Sequence, residues 1–420
     1  MNLSLLHQWN TVFFVAMTAL YGYQLLYLLI PFLIKGKKIE QDVPKKTFGI
    51  VIAARNEAQV IGELIKSIHQ QNYPGEKVKI FVIADNCTDE TAMIARNLGA
   101  VVWERFDQSQ VGKGYALNYL FKKLSETYGK NAVDAYLIFD ADNVLDENYL
   151  LEMNKHFVQG HEIITSYRNS KNYAVNWLSA GQSLYFLQES QYKNRSRALL
   201  GSGCPISGTG FLVSADIINE QNGWHFHTLV EDIEFSVHHA IAGNKIAYCE
   251  KAVFYDEQPT DFNQSWNQRL RWGKGFYQVF IKYGLDLFLS IFRKGSFYAF
   301  DIFMKIFPLG FLTGILLLFN LLAFGYGLRS NPQALMSSAL VLFLVRTYTM
   351  FFIGGLITVA SEWNRIYATP FQKIGYLFTY PLFVLTFAPI SMAALIVKVE
   401  WKPIIHKEAK SLALIRKNAE

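Results

Sequence analysis

Four stretches of the chain carry almost no charge. Thr11 to Ile34 is uncharged over 24 residues, Ile302 to Leu328 is broken only by Lys305, Leu335 to Ala360 only by Arg346, and Ile374 to Val397 by nothing. At about 1.5 Å per residue, each is long enough as a helix to cross a hydrocarbon core of roughly 30 Å. The first is read as a retained anchor rather than a cleaved signal peptide, because Met1 to Asn10 holds no Lys or Arg and the apolar run is long. Between Lys35 and Gly275 the pattern changes. Short runs rich in β-branched residues (Thr47 to Ala53, Val78 to Ala84, Ala100 to Trp103, Ala135 to Phe139) read as strands. Glu57 to Gln70 carries Val60, Ile61, Leu64, Ile65 and Ile68 at helical spacing, Asp89 caps a helix over Glu90 to Leu98, and Lys113 to Leu124 is a third helix. Strands alternating with helices predict an α/β domain with a parallel, doubly wound sheet covered on both faces.

Composition then divides between two solvents. Over 420 residues the chain is 51% hydrophobic and 18% charged, more apolar than a soluble enzyme needs, and the apolar excess lies in the uncharged stretches. Lys35, Lys37, Lys38, Lys45 and Lys46 follow the first stretch and no basic residue precedes it, which puts the large domain on the cytoplasmic side. Lys398 to Glu420 is basic too, so the tail is also expected inside. One late stretch must then be re-entrant or interfacial, and Ile302 to Leu328, with Lys305 and Pro308, is the candidate. The three cysteines, Cys87, Cys204 and Cys249, show no CxxC spacing and fit a reducing compartment. The net charge of +6 sits partly at the membrane flanks and points to lipid head groups, not nucleic acid. The expected domains are an anchor at 1–38, a cytoplasmic domain at 39–275, an amphipathic interfacial segment at 276–301, a membrane region of about three helices at 302–397 and a basic tail at 398–420.

In doubly wound sheets ligands bind beyond the carboxyl ends of the strands, and the polar residues cluster there. Asp85 directly follows one strand. Asp140 follows another, with Asp142 two residues on. Paired carboxylates at a strand end suit a hard divalent cation that bridges phosphate oxygens, although Asp140, Asp142 and Asn143 taken alone also fit an ordinary turn. Glu231 and Asp232 precede an apolar helical stretch, where a helix dipole would favour them in any case.

The ordered set of motifs resembles the membrane-embedded glycosyltransferases of family 2, the group of cellulose, chitin, hyaluronan and poly-N-acetylglucosamine synthases. The markers are Ala54-Arg55-Asn56-Glu57, Asp85-Asn86-Cys87-Thr88-Asp89, Gly112-Lys113-Gly114, Asp140-Ala141-Asp142, Glu231-Asp232 and Gln268-Arg269-Leu270-Arg271-Trp272. The resemblance runs from about Phe48 to Trp272. It implies a GT-A type, doubly wound mixed sheet set between membrane helices, and an inverting, processive transfer of glucose or N-acetylglucosamine units from a UDP-sugar into an exported β-linked polysaccharide. Asp232 matches the general base of the family's Thr-Glu-Asp motif, with Glu231 beside it and Val230 in place of Thr. Asp140 and Asp142 would hold Mg2+ or Mn2+. Ala54, Arg55, Glu57, Asp85, Lys113, Asp140 and Arg271 would contact the nucleotide. Gln268, Arg269, Trp272, Gly208 and Thr209 would face the acceptor sugar, with the loop Gly201 to Gly210 lining it. Arg346, inside an apolar stretch, is the candidate channel residue, since a charge there is costly unless it serves function or assembly. The implied partners are the UDP-sugar, a saccharide or lipid-linked acceptor, membrane lipid, and an accessory export subunit or a second copy of the chain. Single transfer to a lipid is the alternative, because Gln-X-X-Arg-Trp also occurs in lipid glucosyltransferases. An inactive scaffold is the alternative of another class, and the joint presence of Asp85, Asp140, Asp142, Asp232 and Arg271 speaks against it.

Overall fold

The computed structural model describes residues 3–36, 39–130, 132–330 and 339–417. Its centre is one eight-stranded sheet: β1 (Phe48–Ala54), β2 (Val78–Asp85), β3 (Val101–Arg105), β4 (Ala135–Asp140), β5 (Val144–Leu145), β6 (Ile163–Ser170), β7 (Phe211–Ser214) and β8 (Ala247–Asp256). The order is β3-β2-β1-β4-β7-β6-β8-β5. The first four strands are parallel, as the alternation predicts. β7 then runs antiparallel to both β4 and β6, so the whole sheet is mixed, as the family resemblance implies. Alternate residues of β1 serve opposite faces: Phe48, Ile50, Ile52 and Ala54 pack with the helix Ile61–His69, while Val51 packs with the helix Lys113–Tyr128. Burial on both faces is the mark of a parallel sheet covered by helices.

Register decides where the chemistry sits. Ala54 pairs with Ala84 on one side and Ala53 with Asp140 on the other, so β1, β2 and β4 end at nearly one level. Asp85 and Asp140 therefore emerge on the same edge, and the order of strands reverses between β1 and β4, where a crevice opens. Asn56 and Asn86 follow two of these strands with φ of 57° and 55°, a left-handed conformation that Asn tolerates. Their side-chain oxygens accept from the backbone N–H groups of Thr88 and Asp107, which holds the loops open beside the crevice.

The apolar stretches are helical where described, with breaks. Among the described residues, Leu340–Ser361 and Pro370–Ile396 are long and apolar enough to cross a membrane, and two bent pairs raise the number to four if each is one span. The first pair bends by 47° at Gly22; the second, Phe297–Ile306 with Leu309–Leu322, bends by 45°. Pro308 explains the second break, since it has no N–H to continue the helix. This is the stretch expected to be re-entrant. The expected interfacial segment at 276–301 is not one element. Residues 276–294 complete a 33-residue helix, Phe262–Lys294, that already contains the Gln268 to Trp272 motif. It stops at Gly295, which takes φ of +55°. Ile281, Leu285, Phe288 and Phe292 form an exposed apolar stripe along it, at the spacing of one helix face.

One contact links the sheet domain to the position of a site residue. A Cβ on Gly114 would lie 2.0 Å from the carbonyl oxygen of Phe226, so only glycine lets the helix Lys113–Tyr128 dock there. Gly114→Ala is expected to push Lys113 out of place and to lower turnover far more than global stability. Thermal unfolding and activity assays on the same preparation check this, and a fully active variant contradicts it.

Candidate active site

One cavity lies at the carboxyl edge of the sheet and runs toward the membrane helices. At the sheet edge its walls include Ala54, Arg55, Glu57, Asp85, Lys113, Asp140 and Asp142. Asp85 is buried against Arg105 at 2.6 Å, both side chains 6% exposed; burial raises its pKa and the Arg105 hydrogen bond opposes that rise. Arg55 lies 5.0 Å from the ring of Trp401, and one of its buried terminal nitrogens has no hydrogen-bond partner among the described residues.

The carboxylates of the Asp-X-Asp are held differently. Asp140 pairs with the Lys113 ammonium, and its backbone N–H donates to Thr209 Oγ1. Asp142 is buried, accepts from the Glu257 N–H at 2.7 Å, and is kept ionised: burial opposes its charge, but His406 and Lys171 outweigh it. Both line the same cavity. Among the described residues no group of three or more His, Cys, Asp or Glu side chains is placed to enclose a metal. Two hard carboxylates facing a cavity still suit Mg2+ or Mn2+, which complete their shells with phosphate and water.

Deeper in, Glu231 and Asp232 form the first turn of the helix Glu231–Ala242, both more than nine-tenths buried. Asp232 Oδ2 accepts from the Gly208 N–H at 2.6 Å, and Gly208 adopts φ of +82° to present it. The Gly208 carbonyl in turn accepts from Lys113 at 2.8 Å. Lys113 thus ties Asp140 to the loop that holds Asp232. Burial pushes Glu231 up to about 7, with the Asp232 charge adding to it, and burial raises Asp232 as well. Arg271 lines the cavity near Glu231, Asp140 and Asp232 and forms no ion pair or hydrogen bond with a described residue. Its cation faces open space beside three carboxylates, which suits a ligand carrying its own negative charge.

Gln268, Trp272 and Gly208 also line the cavity; three other expected residues do not. Thr209 is buried under the Asp140 turn, bonded to Asn143, where it shapes the turn. Arg269 is buried, stacks on Phe383 and Phe387 and donates to Thr386, so it docks an apolar helix. Arg346 is exposed near the Phe14 ring and does not line the cavity.

Sequence reasoning missed several cavity residues. Arg168, two residues before the end of β6, and Asp256, the last residue of β8, pair across the floor, with the Arg168 guanidinium 3.5 Å from the Phe186 ring centre. The strand-end rule that found Asp85 applies equally to Asp256. The tail supplies Trp401, Lys402, Pro403, Ile404 and His406. His406 reaches Glu57 at 3.0 Å, and the Lys407 and Glu408 N–H groups donate to Glu257. Only the basic character of that tail was legible, because its partners lie some 150 to 350 positions away in the chain.

Known proteins share this plan. The fold matches a mannosyltransferase from Pyrobaculum calidifontis, solved with GDP-mannose and Mn2+, with a TM-score of 0.63 over 94% of this chain and 98% of that one, at 16% identity. Among curated relatives, a β-monoglucosyldiacylglycerol synthase of Synechocystis is 26% identical over 57% of this chain, and a poly-β-1,6-N-acetyl-D-glucosamine synthase of Staphylococcus aureus 25% over 55%. The chain spans about half the length of each. A probable glycosyltransferase of Bacillus subtilis is 25% identical over 70% of this chain and 72% of its own length. The profile of the family described as "Glycosyltransferase like family 2" matches residues 44–275, more than half of the chain, and with the sheet edge and cavity in place the chain belongs to that family.

Proposed function

We propose that the chain transfers a hexose from a UDP-sugar, with inversion, to an acceptor hydroxyl presented at the membrane surface. The observation that carries this is the convergence of Asp140, Asp142, Arg271 and Asp232 on one cavity. Asp85, Arg55 and Glu57 form the nucleoside end, and Arg271 and Lys113 supply positive charge where a diphosphate would lie. Asp140 and Asp142 would hold Mg2+ or Mn2+, which neutralises charge on the departing diphosphate when bound. Asp232, ionised, accepts the proton of the acceptor hydroxyl as its oxygen bonds to the anomeric carbon, and the bond to the diphosphate breaks with UDP taking the electron pair. Gly208 N–H fixes the orientation of that carboxylate. Closure of the tail over Arg55 and Glu57 limits water at the reacting centre.

The acceptor end of the cavity runs past Trp272 and Phe276 to Lys305, which belongs to the first half of a bent apolar helix pair. An acceptor therefore reaches the site from the membrane side. A growing β-linked polysaccharide and a membrane lipid both satisfy this, and the Synechocystis relative's name favours the lipid as a second reading. The sheet domain would face the cytoplasm, and the membrane would be a bacterial plasma membrane. Incubating purified protein with radiolabelled UDP-sugars, lipid and Mg2+ or Mn2+, then sizing the product, decides between long polymer and labelled lipid. No transfer from any UDP-sugar contradicts the proposal.

Asp232→Asn is expected to lower transfer by at least about a hundredfold while leaving donor affinity nearly intact, since general-base catalysis is worth roughly 10²–10⁴. Because burial raises the Asp232 pKa, kcat/KM is expected to decline on the acid side at a pH above the ordinary aspartate range. A pH profile checks this, and an acid limb at or below that range contradicts it. Asp85→Ala should cost about 3 kcal/mol of stability by leaving Arg105 buried without its nearest partner. Adding Arg105→Met should restore stability in thermal unfolding but not donor binding; equal loss in both variants contradicts the pairing.

A further inference from the structure

The membrane-side end of the cavity holds a charge pair that the transfer mechanism does not use. Glu189 is 3% exposed and begins a π-helical turn, Glu189–Asn194, inserted between the helices Trp177–Gln188 and Arg195–Leu199. Such turns break regular hydrogen bonding and occur frequently at functional sites. Glu189 Oε1 receives Lys305 Nζ at 2.8 Å and Arg197 Nη1 at 3.3 Å. Its Oε2, with Lys193 Nζ 3.3 Å away, makes no hydrogen bond among the described residues.

The neighbouring ions have different work. Arg197 binds Asp301 at 2.6 Å, and Asp301 takes hydrogen bonds from Tyr23 at 2.6 Å and Tyr27 at 3.0 Å, which fastens the N-terminal helices to the fold. Neither Arg197 nor Asp301 lines the cavity, whereas Glu189 and Lys305 do, beside the rings of Tyr185, Phe186, Trp272 and Phe276. Assembly alone accounts for the first pair. It does not require the second pair to stand in a cavity wall.

A buried carboxylate, an ammonium and aromatic faces together match a pyranose ring. Ring hydroxyls donate to the carboxylate and accept from the ammonium, and the apolar C–H face packs on an aromatic ring. A diacylglycerol brings one hydroxyl and leaves this pair unused. A phosphodiester head group offers acceptors and no donor, so it would leave the Glu189 carboxylate without a hydrogen bond from the ligand even with Lys193, Lys305 and Arg197 around it.

Resting on the transferase reading, we propose that Glu189 and Lys305 form an acceptor subsite that binds a sugar ring already present on the acceptor. That ring belongs either to a glycolipid head or to the end of a growing glycan.

The test uses the full-length protein in mixed micelles, with an alkyl β-glucoside, a glucosyldiacylglycerol or plain diacylglycerol as acceptor, and donor hydrolysis measured separately. The sugar-bearing acceptors should be preferred. Glu189→Asp and Lys305→Gln should each raise the acceptor KM about tenfold, the worth of a charged hydrogen bond, with donor hydrolysis and donor KM within about twofold of wild type. Glu189→Asp keeps the charge in the ion cluster, so its result stands even where Lys305→Gln lowers the melting temperature. A single added sugar identifies the glycolipid source and a ladder the growing glycan. Plain diacylglycerol used equally well and unaffected by either variant overturns the subsite, as does a rise in donor KM in place of acceptor KM. Absence of donor turnover by the wild type overturns the transferase reading itself.

Discussion

The ammonium of Lys113 stands where three segments of the chain must meet. It pairs with Asp140 at the end of β4, donates to the Gly208 carbonyl in the loop before β7, and lies close enough to Glu231 and Asp232 to feel both charges. Burial opposes its charge, and those three carboxylates outweigh the burial. Without such a cation, the buried carboxylates Glu231 and Asp232 would lean on Arg271 among the described residues, at a cost of several kcal/mol per uncompensated buried ion. The docking of its helix depends on Gly114, so a backbone contact on the sheet's far face sets a charge at the reacting centre.

The same poverty of solvent prepares the site for chemistry. A carboxylate whose neutral form is favoured by burial has a raised proton affinity, which is what a base for a sugar hydroxyl requires. The membrane helices supply the other half of the arrangement. Arg269 and Trp272 lie on one helix three residues apart, yet Arg269 grips the helices on either side of Thr386 while Trp272 meets the cavity beside Phe186. One continuous helix, Phe262–Lys294, thus touches both the apolar helices and the cavity wall.

Strand-end carboxylates were legible because strand and helix periodicities are local, and Asp85, Asp140 and Asp142 follow strands whose ends the pattern marks. Gln268 to Trp272 shows where such reading stops. A motif names positions on a helix, but only the packing of other helices decides that Arg269 is covered by Phe383 and Phe387 while its neighbour Trp272 meets the cavity. Thr209 was placed in the right loop and faces the turn beneath it, since its hydroxyl pairs with Asn143. Arg346 is expected inward because a charge in an apolar run is costly, yet its side chain is exposed beside the Phe14 ring, and periodicity alone does not mark which face of an all-apolar helix meets its neighbours. Beyond its basic character the tail is not legible, since its contacts with Glu57 and Glu257 are made by folding and leave no periodic trace.

The central claim is that one cavity holds the donor at the sheet edge and the acceptor at the membrane end, with Asp232 between them. A cryo-EM structure of the protein with a UDP-sugar and Mn2+ tests it most directly. The account predicts uridine beside Asp85 and Arg55, the diphosphate between Asp142 and Arg271, and the anomeric carbon turned toward Asp232. A donor bound elsewhere, or a sugar directed away from Asp232, would contradict it.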